Sequence, residues 1–101
     1  MTIRFVELAE VELDEAIHYY EGESTGLGAE FLDEVISALN RIAEFPEAWQ
    51  QLEFGVRRSR LNRFPYGLVY SRSRGDIIVL GVAHLRRKPE NWRDRLNKAT
   101  P

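Results

Sequence analysis

The stretch Ile77–Ala83 most constrains the fold, because none of its residues is polar and most of them are β-branched or leucine. A half-exposed strand alternates apolar and polar side chains, whereas an unbroken apolar run is typical of a strand covered on both faces. The sequence therefore predicts a central strand here, inside a β-type run from Asp76 to Leu85. Two further β-type runs, Val56–Arg63 and Phe64–Arg72, precede it, and the polar turn Ser73–Gly75 joins the last two. The three runs are expected to form antiparallel strands.

The N-terminal half predicts one short strand and two helices. Thr2–Val6 alternates polar and apolar residues, as a strand does. Apolar residues then recur every three or four positions in Leu8–Glu21 and again in Leu27–Phe45, which indicates two amphipathic helices with a short, antiparallel connection. Ser24 or Thr25 is the expected cap of the second helix.

The expected fold class is therefore α+β in a single domain over residues 1–101. Its order is strand, helix, helix and three antiparallel strands, with the helical hairpin packed on one face of the sheet. The segment after Pro89 is expected to form one or two helical turns, and Trp92 is expected to pack that segment back onto the sheet.

Charge divides the chain into two halves. Residues 1–53 hold 13 acidic and 2 basic side chains, a net −11, and residues 54–101 hold 12 basic and 3 acidic side chains, a net +9, which together give the overall −2. A half this basic favours acidic partners or polyanions. The alternative interpretation is that the acidic helices neutralise the basic sheet within the fold.

Several classes of site and location are disfavoured by what the sequence lacks. With no cysteine and only two distant histidines, we expect neither a metal site nor a disulfide framework. No phosphate-binding or dinucleotide-binding motif occurs, so no cofactor is expected. No apolar run is long enough for a membrane span, and the acidic N-terminus is unlike a secretory signal, so we expect a cytoplasmic protein without membrane contact.

The basic strands supply the candidate binding residues. The cations expected to contact a target are Arg57, Arg58, Arg60, Arg63, Arg86, Arg87 and Lys88. Guanidinium groups can bind phosphates or the carboxylates of an acidic protein, but they can also pair with the helix carboxylates of their own chain. Because neighbouring residues of a strand point to opposite faces, Arg57 and Arg58 cannot both face the helices.

At this point the chain resembles a known family, the RelE/ParE superfamily of toxins from bacterial type II toxin–antitoxin modules. The resemblance covers nearly the whole chain, and the segments that carry it are Glu15–Tyr20, Gly26–Gly28, Phe31, Leu32, Ile42, Pro46, Val56–Arg58, Leu61, Arg63–Tyr66, Val69, Tyr70, Val82–Pro89, Trp92 and Arg95. The resemblance implies a small toxin held inactive by a cognate antitoxin in a hetero-oligomer, and it implies the strand and helix order derived above.

The superfamily has two branches, and the resemblance to each implies a different target. RelE-like members cleave messenger RNA in the ribosome with Lys, Arg and a Tyr near the chain end, whereas ParE-like members inhibit DNA gyrase and are not nucleases. Here arginines stand in the strand that bears lysines in RelE-like members, the only lysines are Lys88 and Lys98, and no Tyr follows Tyr70. Asn91 stands where many relatives have a Tyr beside Trp92. A ParE-like inhibitor without catalytic residues is therefore favoured.

Two alternatives stay open. In a ribosome-dependent endoribonuclease, His84 would be the general base or acid and Arg86 the phosphate clamp, since residues two apart share a face if the strand persists. The other alternative is a non-toxic relative that keeps the fold to bind a partner. In each case a cognate antitoxin is the expected partner, and it is expected to dock by a helix in a groove or by pairing with a strand edge.

Overall fold

The structure, a computed structural model, describes residues 2–87 and 92–99. Within these residues one sheet is built from β1 (Ile3–Phe5), β2 (Gln50–Gln51), β3 (Arg57–Arg60), β4 (Tyr66–Ser73) and β5 (Asp76–His84). The α-helices of the same residues are α1 (Glu7–Glu23), α2 (Leu27–Glu44) and α3 (Trp92–Ala99), and a short 3-10 helix spans Glu53–Gly55. None of the helices described here is both long and apolar enough to cross a membrane.

The strand order in the sheet is β1-β5-β4-β3-β2, with β1 parallel to β5 and the other neighbours antiparallel. The predicted α+β class and the antiparallel series β3–β4–β5 are confirmed. The strand expected over Val56–Arg63 is shorter, since β3 ends at Arg60 and the chain bends through Leu61–Pro65 before β4. Gln50–Gln51 forms a two-residue edge strand against β3.

Each face of the sheet has its own apolar core. On the helical face, α1 and α2 cover the sheet, and the buried residues shared between helices and sheet include Phe31, Val35, Ala38, Ile42, Leu68, Tyr70, Ile77 and Val79. The opposite face, called the outer face here, buries Val56, Val69, Ile78 and Leu80. Trp92 and Leu96 of α3 pack against this second core, as expected for Trp92. The central strand is thus covered on both faces, as its apolar run predicts.

The corner between α1 and α2 is built differently from the expectation. The side-chain cap predicted at Ser24 or Thr25 is wrong, because the residue that precedes α2 is Gly26, with φ of 89° and no side-chain hydrogen bond. The carboxylate of Glu21 instead accepts the backbone N–H groups of Gly26 and Gly28, each at 3.1 Å. An acidic group of the first helix therefore satisfies the free donors at the start of the second.

Candidate target-binding surface

The two faces of β3 separate its arginines. Arg57 is paired with Tyr70 on the helical face, whereas Arg58 and Arg60 are paired with Val69 and Gly67 and point to the outer face. This alternation is the one predicted for neighbouring strand residues. Arg58 and Arg60 therefore point away from the helical hairpin.

The arginines on the helical side are held by groups of the same chain. Nη1 of Arg57 donates to the Trp49 carbonyl oxygen at 2.9 Å. Arg63 is bound more extensively, because its backbone N–H and Nε donate to the Glu34 carboxylate at 2.6 and 3.0 Å and its Nη1 donates to Glu30 at 3.2 Å. Both side chains thus have structural partners, and Arg63 joins the bend after β3 to α2.

The ion pair between Glu34 of α2 and Arg63 shifts the pKa of both groups. Burial by itself would raise the pKa of Glu34, but the hydrogen bonds from Arg63 and from the backbone of Asn62 outweigh it and hold that pKa below the usual glutamate range. The hydrogen bonds that the Arg63 side chain donates to Glu34 and to Glu30 raise the pKa of Arg63. Arg63 therefore stays charged and attached to α2.

Gly67 brings the outer-face arginine Arg58 close to the sheet. A Cβ atom at Gly67 would lie 3.0 and 3.1 Å from Cγ and Cδ of Arg58 and 3.2 Å from Cδ2 of Leu85, so these side chains lie across the bare backbone. Nη2 of Arg58 donates to the Gln50 side chain at 2.7 Å, which orients the guanidinium, and its Nε is buried without a hydrogen-bond partner. Arg60, opposite Gly67, is exposed.

The turn after β5 carries the next two predicted cations. Leu85 donates its N–H to the Pro65 carbonyl at 2.8 Å, and its side chain reaches Gly67 on the outer face. Arg86 and Arg87 follow in this turn and are exposed. The turn therefore starts beside Arg58, while Lys88, the last predicted cation, lies outside the described residues.

His84 and Arg86, the candidate nuclease pair, do not both lie in one continuous strand, which sharing a face would require. Strand β5 ends at His84, so the condition that would place Arg86 on the same face is not met. The pairing of β4 with β5 also shifts between Val69 and Tyr70, which skips Leu80 and moves the following even-numbered residues to the helical face. His84 accordingly packs edge-on against the Tyr66 ring, at 5.1 Å between ring centroids.

The turn after β5 also sets the tautomer of His84. Its Nδ1 lies 3.1 Å from the backbone N–H of Arg86, which donates to it, so a neutral ring in this arrangement carries its proton on Nε2. The outer-face arginines Arg58 and Arg60 lie on the other side of the sheet. His84 and the outer-face arginines are therefore not brought together on one face of the described sheet.

The two tyrosines of β4 are structural. Tyr66 and Tyr70 are buried, and the Tyr70 hydroxyl donates to the Pro46 carbonyl at 2.6 Å. Burial is the main reason why the pKa of each of these tyrosines is raised. The exposed residue Phe54 was not among the predicted site residues. It has φ of 61°, and its ring centroid lies 5.1 Å from the Arg93 guanidinium.

Metal ligands do not cluster in this part of the chain. Among residues 2–87 and 92–99, no three His, Asp or Glu side chains are grouped so that they could hold a metal ion. The chemistry available on the outer face is thus recognition of oxyanions by guanidinium groups.

Comparison with known proteins adds a family. Residues 3–89 match the family described as the ParE toxin of the type II toxin–antitoxin system parDE. A solved structure from the chromosomal ParDE toxin–antitoxin system of P. aeruginosa superposes with a TM-score of 0.63 at 17% identity, covering 85% of this chain and 97% of that one. This likeness shows the shared fold. No curated protein sequence matches the chain significantly.

Proposed function

The chain belongs to the ParE toxin family of type II toxin–antitoxin modules, and from this we propose that it stops growth by binding DNA gyrase, without cleaving RNA. We further propose that a cognate antitoxin neutralises it in a hetero-oligomeric complex in the cytoplasm, where gyrase acts.

The observation that carries the proposal is the separation of His84 from the outer-face arginines. Cleavage of RNA by its own 2′-hydroxyl needs a base within hydrogen-bond reach of the hydroxyl and cations at the same phosphate. His84 lies on the helical face beside Tyr66, whereas Arg58 and Arg60 point to the outer face. Such a surface suits a protein that binds its target and performs no chemistry on it.

The outer-face arginines are the proposed target contacts. Arg58 is pre-oriented by Gln50, and Arg60 is exposed with no ion pair to the described residues. Arginine binds carboxylates and phosphates with two parallel hydrogen bonds, so the expected feature of the target is an exposed oxyanion. Arg86 and Arg87, which are exposed in the turn after β5, are further proposed contacts.

The proposed antitoxin surface is on the helices. Leu8, Val11 and Tyr19 of α1 are exposed, with Tyr19 60% accessible, and their spacing places them along one side of the helix. Ile36 of α2 is exposed as well. Exposed apolar residues at helical spacing suit an amphipathic segment of a partner, as in helix-in-groove recognition.

The test is expression without an antitoxin, followed by two parallel readouts. Gyrase-dependent DNA breaks and the supercoiling activity of gyrase with purified protein report on the proposed target, and the integrity of messenger RNA reports on the ribonuclease alternative. We expect inhibited gyrase and intact transcripts. Cut transcripts with unaffected gyrase would support the ribonuclease, and harmless expression would support a non-toxic binding module.

A matched pair of variants locates the contact. Arg60→Gln removes an exposed outer-face charge, and we expect it to weaken gyrase inhibition about tenfold, as for loss of one charged contact of about 1.4 kcal/mol. Arg74→Gln makes the same charge change in the exposed turn between β4 and β5, about 23 Å along β4 from Gly67 at ~3.3 Å per residue. Equal inhibition by the two variants would refute the outer-face assignment.

A further inference from the structure

The sheet has an edge that β1 leaves uncovered. The register pairs β1 with β5 only from Ile77 to Val79, and the final backbone bond between the two segments runs from the Val6 N–H to the Val79 carbonyl. Strand β5 continues to His84, and beyond Val79 no strand of the described residues pairs with its backbone at this edge. A free edge of this kind invites another chain, and proteins commonly cover it.

Two side chains from opposite faces of the sheet cover the edge. Glu12 of α1 accepts the Val82 N–H at 3.0 Å, and Arg95 of α3 donates through Nη1 to the Leu80 carbonyl at 2.9 Å. The two side chains also bind each other, with Nη1 at 2.8 Å and Nη2 at 3.0 Å from the two oxygens of Glu12. This bidentate pair joins α1, β5 and α3 at one point.

The pair is well placed to hold α3. Arg95 is only 8% exposed, and its guanidinium lies 5.2 Å from the ring of Trp92 on the same helix. The Trp92 ring fills the space above Gly81, where a Cβ atom would come within 2.6 Å of it. Helix α3 is thus attached to β5 at two neighbouring places, one apolar and one charged.

The position of α3 also determines where the chain returns to the sheet after Arg86 and Arg87. The chain leaves β5 at His84 and must return to Trp92, whose ring lies back over Gly81. The Leu85 N–H donates to the Pro65 carbonyl before these two cations, and the Trp92 ring is docked over Gly81 after them. Releasing α3 would therefore remove the attachment that follows Arg86 and Arg87 along the chain.

We infer that the Glu12–Arg95 pair is a clasp that holds α3 across the free edge of β5 and thereby positions Arg86 and Arg87, two of the cations proposed for target binding. Glu12 and Arg95 are then positioning residues, since they contact the target only through the segment they hold. The positioning part of this inference rests on the proposed function, whereas the clasp itself stands on the contacts described above.

The test opens the clasp and measures docking and activity separately. Glu12→Gln keeps the shape of the side chain and removes its charge, and Glu10→Gln, at an exposed position of α1, is the matched control. Amide hydrogen exchange at Val82 and Leu96, measured by NMR, reports on docking of α3. We expect exchange at both amides to accelerate at least tenfold in Glu12→Gln and to stay unchanged in Glu10→Gln.

Growth arrest without an antitoxin, at matched protein levels, reports on positioning. We expect Glu12→Gln to weaken arrest although the rest of the chain stays folded. Unchanged exchange in Glu12→Gln would overturn the clasp, and an open clasp with full arrest would overturn the positioning role.

The two proposals fail in different ways. If the wild-type protein leaves gyrase unaffected, the proposed target is wrong, and growth arrest still decides whether Glu12 positions the cationic segment. If wild-type protein inhibits gyrase and Glu12→Gln inhibits equally with α3 undocked, only the present inference is overturned.

Discussion

Substituting Gly81 with alanine tests how tightly α3 is seated on the sheet. The added Cβ would lie 2.6 and 2.8 Å from the Cζ3 and Cη2 atoms of Trp92 and 3.1 Å from Nη1 of Arg95. Ordinary carbon contacts need about 3.5–4.0 Å, so the indole must move by about 1 Å or leave its place. Overpacking of this kind costs about 1–3 kcal/mol.

The expected loss is measurable by thermal or urea unfolding. In a domain of this size, 1 kcal/mol shifts Tm by about 4–8 °C, so Gly81→Ala should lower Tm by at least about 4 °C. The control is Gly22→Ala in α1, where a Cβ would meet nothing within 4 Å. There the loss of glycine's backbone freedom in the unfolded chain should stabilise the protein by about 0.5–1 kcal/mol.

A double-mutant cycle assigns the cost to the indole. If Trp92 is the obstacle, Gly81→Ala should cost much less in a Trp92→Ala background, and the coupling should be about 1 kcal/mol or more. The same cost in both backgrounds would mean that the glycine is needed for the strand itself. A Gly81→Ala protein as stable as the wild type would refute the tight seating of α3.

Two further predictions concern the helical face. Glu34→Gln should lower stability by about 1 kcal/mol at neutral pH, a modest value because Arg63 is 58% exposed. Since the folded-state pKa of Glu34 is lowered, its contribution is present above the usual glutamate pKa and disappears as the pH falls through and below that range, so Tm of wild type and Glu34→Gln should converge in acid. Asp33→Asn, an exposed neighbour, is the control, and a difference in Tm that persists at pH 2–3 would contradict this assignment. Phe31→Ala should cost about 3–5 kcal/mol in urea unfolding, because Phe31 is fully buried, whereas Phe45→Ala at an exposed position should cost about 0.5 kcal/mol or less.

The sequence predicts the elements well because periodicity is a local signal. The apolar run Ile77–Ala83 identifies the central strand, and strand alternation alone separates Arg57 from Arg58. The shift of register at Leu80 could not be read in the same way, because the run is apolar at nearly every position and either register buries it. That shift decides the face of His84, whereas the end of β5 at His84 decides that Arg86 does not continue the strand.

Contacts between distant parts of the chain could not be predicted from the sequence either. Glu21 replaces the expected cap at Ser24 or Thr25 because the tight corner at Gly26 turns the start of α2 toward the end of α1. Glu12 and Arg95 are far apart in sequence, and no local pattern distinguishes Glu12 from the other acidic residues of α1. Their pairing follows only from the folded sheet, whose free edge lies between α1 and α3.

The two faces of the sheet differ in how far their basic residues are paired with acidic residues of the same chain. Acidic residues of the N-terminal half do neutralise part of the basic half, but they do so where the fold brings the two together: Glu30 and Glu34 bind Arg63, Glu47 binds Arg72, and Glu12 binds Arg95. These contacts lie on the helical side or at the edge of β5. The outer-face arginines point away from α1 and α2, so the acidic residues of these two helices do not neutralise them. Internal neutralisation therefore accounts for the helical side, while binding of an acidic partner by the outer face stays a prediction.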